Sequence, residues 1–143
     1  MKPKILVFGN VLVEKDNLAL KLLPKLRKDF PQIEFKHIDP TENLEAEIEN
    51  KKLFILDVVE GIKKVTLIKD IDKLQTNKLY SMHDFDLAYN LKLLKKLGKL
   101  KEVEIIGIPM GMDEEEGFEK VSEILKEINK SLLNHLCFLF SIL

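Results

Sequence analysis

Short apolar runs, recurring between segments of helical period, are what most constrain this chain. Lys4–Phe8 (KILVF), Leu53–Leu56 (LFIL) and Val103–Ile108 (VEIIGI) are nearly unbroken apolar stretches. Such runs suit strands covered on both faces, as in a parallel sheet, and LFIL reads as central. Between them lie segments with apolar residues three and four apart. Leu18, Leu22, Leu23 and Leu26 form one set, Leu87, Leu91, Leu94 and Leu97 a second, and Phe118, Val121, Ile124, Leu125 and Ile128 a third. Ile33–Ile38 (IEFKHI) alternates like a strand, and Val65–Ile68 (VTLI) adds a short one. Strands alternating with helices predict an α/β fold, a three-layer α/β/α sandwich around a mostly parallel, twisted sheet of about five strands.

Punctuation sharpens this reading. Gly9-Asn10 ends the first strand with a turn, and Asp39-Pro40-Thr41 stops the second. Residues 42–50 suggest a short acidic helix. Pro24 falls inside the first helical pattern, where an interior proline costs roughly 3 kcal/mol, so a kink or break is expected there. Ser81-Met82-His83-Asp84 has the Ser-x-x-acid form of a helix start. Gly98 suits a helix end.

With 143 residues the chain suggests a single domain, spanning 1–128, followed by an apolar extension of the last helix or tail over 129–143. Leu132–Leu143 (LLNHLCFLFSIL) is too short to span a bilayer, which takes roughly 20 apolar residues. It either buries against its own subunit, or meets a partner, a second copy of the chain or a membrane surface. The formal net charge of −1, with acids and lysines interspersed, argues against nucleic-acid binding. One cysteine, Cys137, excludes an internal disulfide framework and a CxxC-type zinc site. No signal-peptide pattern is visible, and a cytoplasmic location is expected.

Three residues carry the chemistry. In open α/β sheets ligands bind beyond the carboxyl ends of the strands. Asp57 ends the third strand, Asp16 follows the first by a loop, and His83 opens a helix whose N-terminus belongs to the same edge. The positive end of a helix dipole disfavours imidazolium, and a neutral imidazole is what a metal needs. Two oxygens and a nitrogen with open positions suit zinc, nickel or a similar borderline ion. Each residue also has a purely structural use: Asp16 as a helix-start acid, Asp57 as a turn or cap residue, His83 as an ordinary first-turn residue. His37 reads as a surface strand residue, and His135 with Cys137 is too few for a metal site. No Gly-x-Ser-x-Gly elbow and no Gly-rich phosphate loop is present.

In their order, these segments resemble the hydrogenase maturation endopeptidases, which remove a C-terminal extension from the large subunit of nickel-iron hydrogenases. The resemblance runs over roughly residues 4–128. It rests on the strand followed by Gly9-Asn10 with Asp16 six residues after the Asn, the strand ending at Asp57-Val58, Ser81-Met82-His83, Gly107-Ile108-Pro109, and the acidic loop and helix of 115–125. It implies that Asp16, Asp57 and His83 are catalytic and bind nickel supplied by the substrate precursor, with zinc or cadmium able to occupy the site in a crystal. The loop that reads the substrate falls on Asp39-Pro40-Thr41-Glu42, making Asp39 and Thr41 the substrate-binding candidates. The implied partner is a hydrogenase large-subunit precursor. The chain departs from the family pattern at Lys15, Asn17, Ala19, the 39–42 loop, Ile62-Lys63-Lys64 and the tail. Those departures keep a second reading open, a non-catalytic hydrogenase assembly or metal-binding protein on the same fold.

Overall fold

The computed structural model describes residues 2–10, 12–14, 17–39, 42–73 and 82–142, with 73, 82–86 and 131–142 described by backbone alone. Five strands form one sheet in the order β2-β1-β3-β5-β4. These are β1 (Lys4–Val7), β2 (Glu34–His37), β3 (Lys52–Val59), β4 (Thr66–Ile68) and β5 (Glu102–Pro109). β1 pairs in parallel with β2 and β3, and β3 with β5, while β4 runs antiparallel along the β5 edge. This is the expected mostly parallel sheet, with the LFIL run in its central strand.

Period two in the strands divides the core. Ile5, Val7, Leu56, Val58, Ile106 and Ile108 face one layer, built by α1 (Leu18–Asp29) and α3 (Glu114–Ile142). Leu6, Leu53, Ile55, Val103 and Ile105 face the other, covered by α2 (Met82–Lys96) through Leu87, Leu91 and Leu94. Each face removes its apolar side chains from water, which is why the strands read as continuous runs rather than alternations.

The helix ends follow from local chemistry. Asp113 starts α3: its Oδ2 accepts the Glu116 amide at 3.2 Å, one of the donors a helix start leaves unpaired. Gly98, at φ +74°, ends α2. The Gly98 amide donates to the Lys95 carbonyl and the Lys99 amide to that of Leu94, the paired bonds of a Schellman motif. Leu97 therefore lies past the helical stripe and is 59% exposed, against the expectation that it belongs to the core.

Two further expectations change. The 42–50 segment is a 3-10 turn at Leu44–Glu47, capped by Asn43, not a longer helix. α1 runs through Pro24 without a break. Pro24 sits on the exposed side of α1, so the Leu20 carbonyl deprived of its donor lies where water is close.

Candidate functional site

The strand order reverses between β1 and β3. The chain leaves β1 for β2 on one side and continues from β3 to β5 on the other. The crevice beyond the carboxyl ends at such a reversal is the ligand position of open α/β sheets. The Phe8 amide donates to the Leu56 carbonyl at 3.1 Å, clamping β1 to β3 immediately before Asp57.

Asp57 was expected to end its strand. β3 instead continues to Val59, because the ladder with β5 runs on, with Asp57 opposite Gly107 and Val59 opposite Pro109. Asp57 is only 6% exposed, one of two buried polar residues among those described. Its Oδ1 accepts the Val58 amide at 2.8 Å. By strand parity it shares the face of Leu53 and Ile55, the face that α2 covers. Gly107 stands beside it, and a Cβ there would lie 3.1 Å from both the Ile62 Cδ1 and the Val59 Cγ2. Glycine therefore lets β5 and the Ile62 side chain close together next to the carboxylate.

His83 is the second residue of α2. α2 ends at Gly98 just before β5 begins, so it runs against the strands and brings its N-terminus to their carboxyl edge, on the Asp57 face. The backbone thus brings two of the three expected ligands to one edge and one face. Asp16 lies outside the described residues, as do Thr41 and Ser81. Among the described residues no three His, Cys, Asp or Glu side chains form a metal-holding group. Asp39 is exposed in the loop leaving β2, its amide donating to Glu42 Oε1 at 3.0 Å while its carbonyl accepts the Glu42 amide at 2.9 Å.

The loop after β1 is shaped by Asn10, whose Oδ1 accepts the Leu12 amide at 2.9 Å and whose carbonyl accepts the Val13 amide at 3.1 Å. This Asx turn sets Leu12 and Val13 outward, 90% and 45% exposed. Met110, just past β5, is 38% exposed on the same edge. His37, read from sequence as a plain surface residue, closes β2 with its Nε2 3.3 Å from the Gly9 carbonyl, so it borders the same loop. Its register opposite Val7, the last residue of β1, was the signal for that position, and register needs the sheet.

The profile of the HycI hydrogenase maturation protease family matches residues 39–136. Among solved structures, the hydrogenase maturating endopeptidase HybD from E. coli is similar at a TM-score of 0.66 and 19% identity, over 89% of this chain and 93% of that one. The [NiFe] hydrogenase maturation protease HybD from Thermococcus kodakarensis is similar at 0.61 and 23% identity, over 90% and 99% of the two chains. A Hydrogenase 3 maturation protease gives 0.60 and 21% identity, over 85% and 88%. At these identities the structural likeness is one of fold. No curated protein sequence matches the chain.

Proposed function

This chain belongs to the hydrogenase maturation protease family and is a hydrogenase-processing endopeptidase; from that premise we propose that it removes the C-terminal extension of a nickel-loaded large-subunit precursor, in the cytoplasm. The observation that carries the reading is the buried carboxylate of Asp57, set in the central strand at the reversal of strand order and facing the layer that α2 opens.

Asp16, Asp57 and His83 are the residues that would take the precursor's nickel. The ion arrives with the substrate and marks it as ready, and zinc or cadmium would serve as probes of the same ligands. Cleavage then needs one water. Its oxygen bonds to the scissile carbonyl carbon, one of its protons passes to Asp16 or Asp57, and the C–N bond breaks as the leaving amine takes up a proton. Asp39 and Thr41, in the loop after β2, would contact the precursor. Leu12, Val13 and Met110, exposed on the same edge, are apolar surface that a protein substrate would cover. Among the described residues no helix is long and apolar enough to cross a membrane. The comparisons give no support to the non-catalytic assembly reading.

Incubating nickel-loaded precursor with the chain and following the mass of the large subunit tests this. Wild type removes the extension, and His83→Ala and Asp57→Asn fail to. Full cleavage by His83→Ala would remove His83 from the site, and no cleavage of any precursor by the wild-type chain would sink the assignment of substrate.

A further inference from the structure

At its far end α3 outruns the sheet. It starts at Glu114, just past the carboxyl end of β5. By Ile128 it has come level with Lys52, the first residue of β3, where the two line one groove. Its backbone continues to Ile142, so residues 131–142 project about 18 Å past that amino edge at 1.5 Å per residue. We propose that this projection pairs with a second copy of the chain, the end of each α3 lying antiparallel along the other in this groove. The inference concerns the end of the sheet away from Asp57 and is independent of the processing reading.

Groove and projection match in chemistry. The groove holds about 200 Å³ between α3 and the β4 edge, and its walls are the half-buried side chains of Phe54, Leu67, Ile124 and Ile128. Only α1 and α3 cover this face of five strands, which leaves the apolar residues toward β4 partly open to water. The lysines on the rim are already engaged. Lys52 meets Glu102 at 3.3 Å and stands 4.7 Å from the centre of the Phe54 ring, and Lys69 meets Glu104 at 3.8 Å. Such a groove suits an uncharged, apolar occupant. Residues 131–143 contain no Asp, Glu, Lys or Arg, and nine of the twelve from Leu132 to Leu143 are apolar.

The occupant is a second copy for three reasons. The projection is continuous with α3, so it leads away from the groove beside its own Ile124 and cannot fold back into it. One chain carries both halves of the contact, which is what a closed two-fold pair requires. A two-fold axis beside Lys130 sets residues equally far on either side of it against each other, Leu132 at the level of Ile128 and Leu136 at the level of Ile124. Half the surface of an 18 Å helix is about 300 Å², so two projections and the two surfaces they meet would bury about 1,200 Å², the lower end for a stable interface. A helix lying on a membrane surface, by contrast, carries Lys and Arg on its polar face, and this segment has none.

Sedimentation velocity of the full chain over a range of concentrations tests this. A dimer is expected, weakened about tenfold or more both by Leu136→Glu in the projection and by Leu67→Glu in the groove. Leu97→Glu, the same change at an exposed apolar residue beyond α2, should leave it unaltered. Thermal melts report whether each variant is folded. A cross-link tests the groove without a buried charge. In a Cys137→Ser background, mixing Ile128→Cys chains with Leu132→Cys chains and oxidising should give the mixed disulfide dimer, and Glu119→Cys with Leu132→Cys should not. A chain that stays monomeric, a dimer indifferent to Leu136→Glu, equal loss in Leu97→Glu, or no Ile128→Cys to Leu132→Cys cross-link would overturn the proposal. So would a monomer that binds vesicles of phosphatidylcholine and phosphatidylglycerol through the same residues, which would assign the projection to a membrane surface.

Discussion

Asp57 and Gly107 sit opposite each other in the central ladder, and each tests the site in a different way. Asp57→Asn keeps an oxygen to accept the Val58 amide but removes the charge. Cleavage should fall by about a hundredfold or more, while the melting temperature stays within a few degrees, as measured side by side on precursor and by calorimetry. Gly107→Ala adds a methyl where Ile62 and Val59 stand 3.1 Å from the Cβ position. Overpacking of this kind costs about 1–3 kcal/mol in chemical denaturation, and cleavage should fall with it because Asp57 is the neighbour. Asp57 was visible in the sequence as an acid after an apolar run. Its burial and its place inside the ladder were not, because the length of β3 is set by pairing with β5 rather than by its own residues. The contact of His37 with the Gly9 carbonyl was hidden for the same reason, since it joins residues 28 positions apart.

At the scale of elements, the β2 side of the sheet is tied to the 3-10 turn by charge. Glu47 meets Lys4 at 2.8 Å and also meets Lys36, with only 12% of its side chain exposed. The hydrogen bonds from Lys36 and Lys4 hold the Glu47 carboxyl below its ordinary value of 4.5. Its contribution is therefore complete above pH 4.5 and is lost as pH falls through the lowered value. Lys4, raised above 10.5 chiefly by Glu47, contributes fully below pH 10.5 and loses its contribution as pH rises past the raised value. Glu47→Gln should lower stability at neutral pH by about 1–2 kcal/mol and flatten the acid side of the stability curve, read by urea unfolding between pH 3 and pH 7. A steep acid limb in the variant would show that other carboxylates control it. In α1, Pro24→Ala should stabilise by about 2 kcal/mol. An interior proline costs about 3 kcal/mol, and its restriction of the unfolded chain returns up to about 1.

For the molecule as a whole, α3 is longer than the sheet it covers. Its 29 residues extend about 43 Å at 1.5 Å per residue, against about 26 Å for the 8 residues of β5. Among its described side chains, Val121 and Leu125 are buried in the core, with Phe118, Ile124 and Ile128 packed alongside. A chain ending after Lys130 keeps every one of these contacts and is expected to cleave precursor at the same rate. Sedimentation of both forms would test the tail as a contact. Self-association of the full chain that is absent from the shortened one assigns it to residues 131–143.

The periodicities of the chain were enough to set its class, its element order and the two apolar faces of its sheet. Burial of alternate and of every-third-or-fourth residue is a local rule, written along each segment. Gly98 and Gly9-Asn10 were legible for the same reason: a helix end and a turn are matters of a few consecutive dihedrals. The strand order, the reversal between β1 and β3 and the face that Asp57 shares with α2 came only with folding. Each depends on which distant segments meet, and that is settled by packing the whole chain at once.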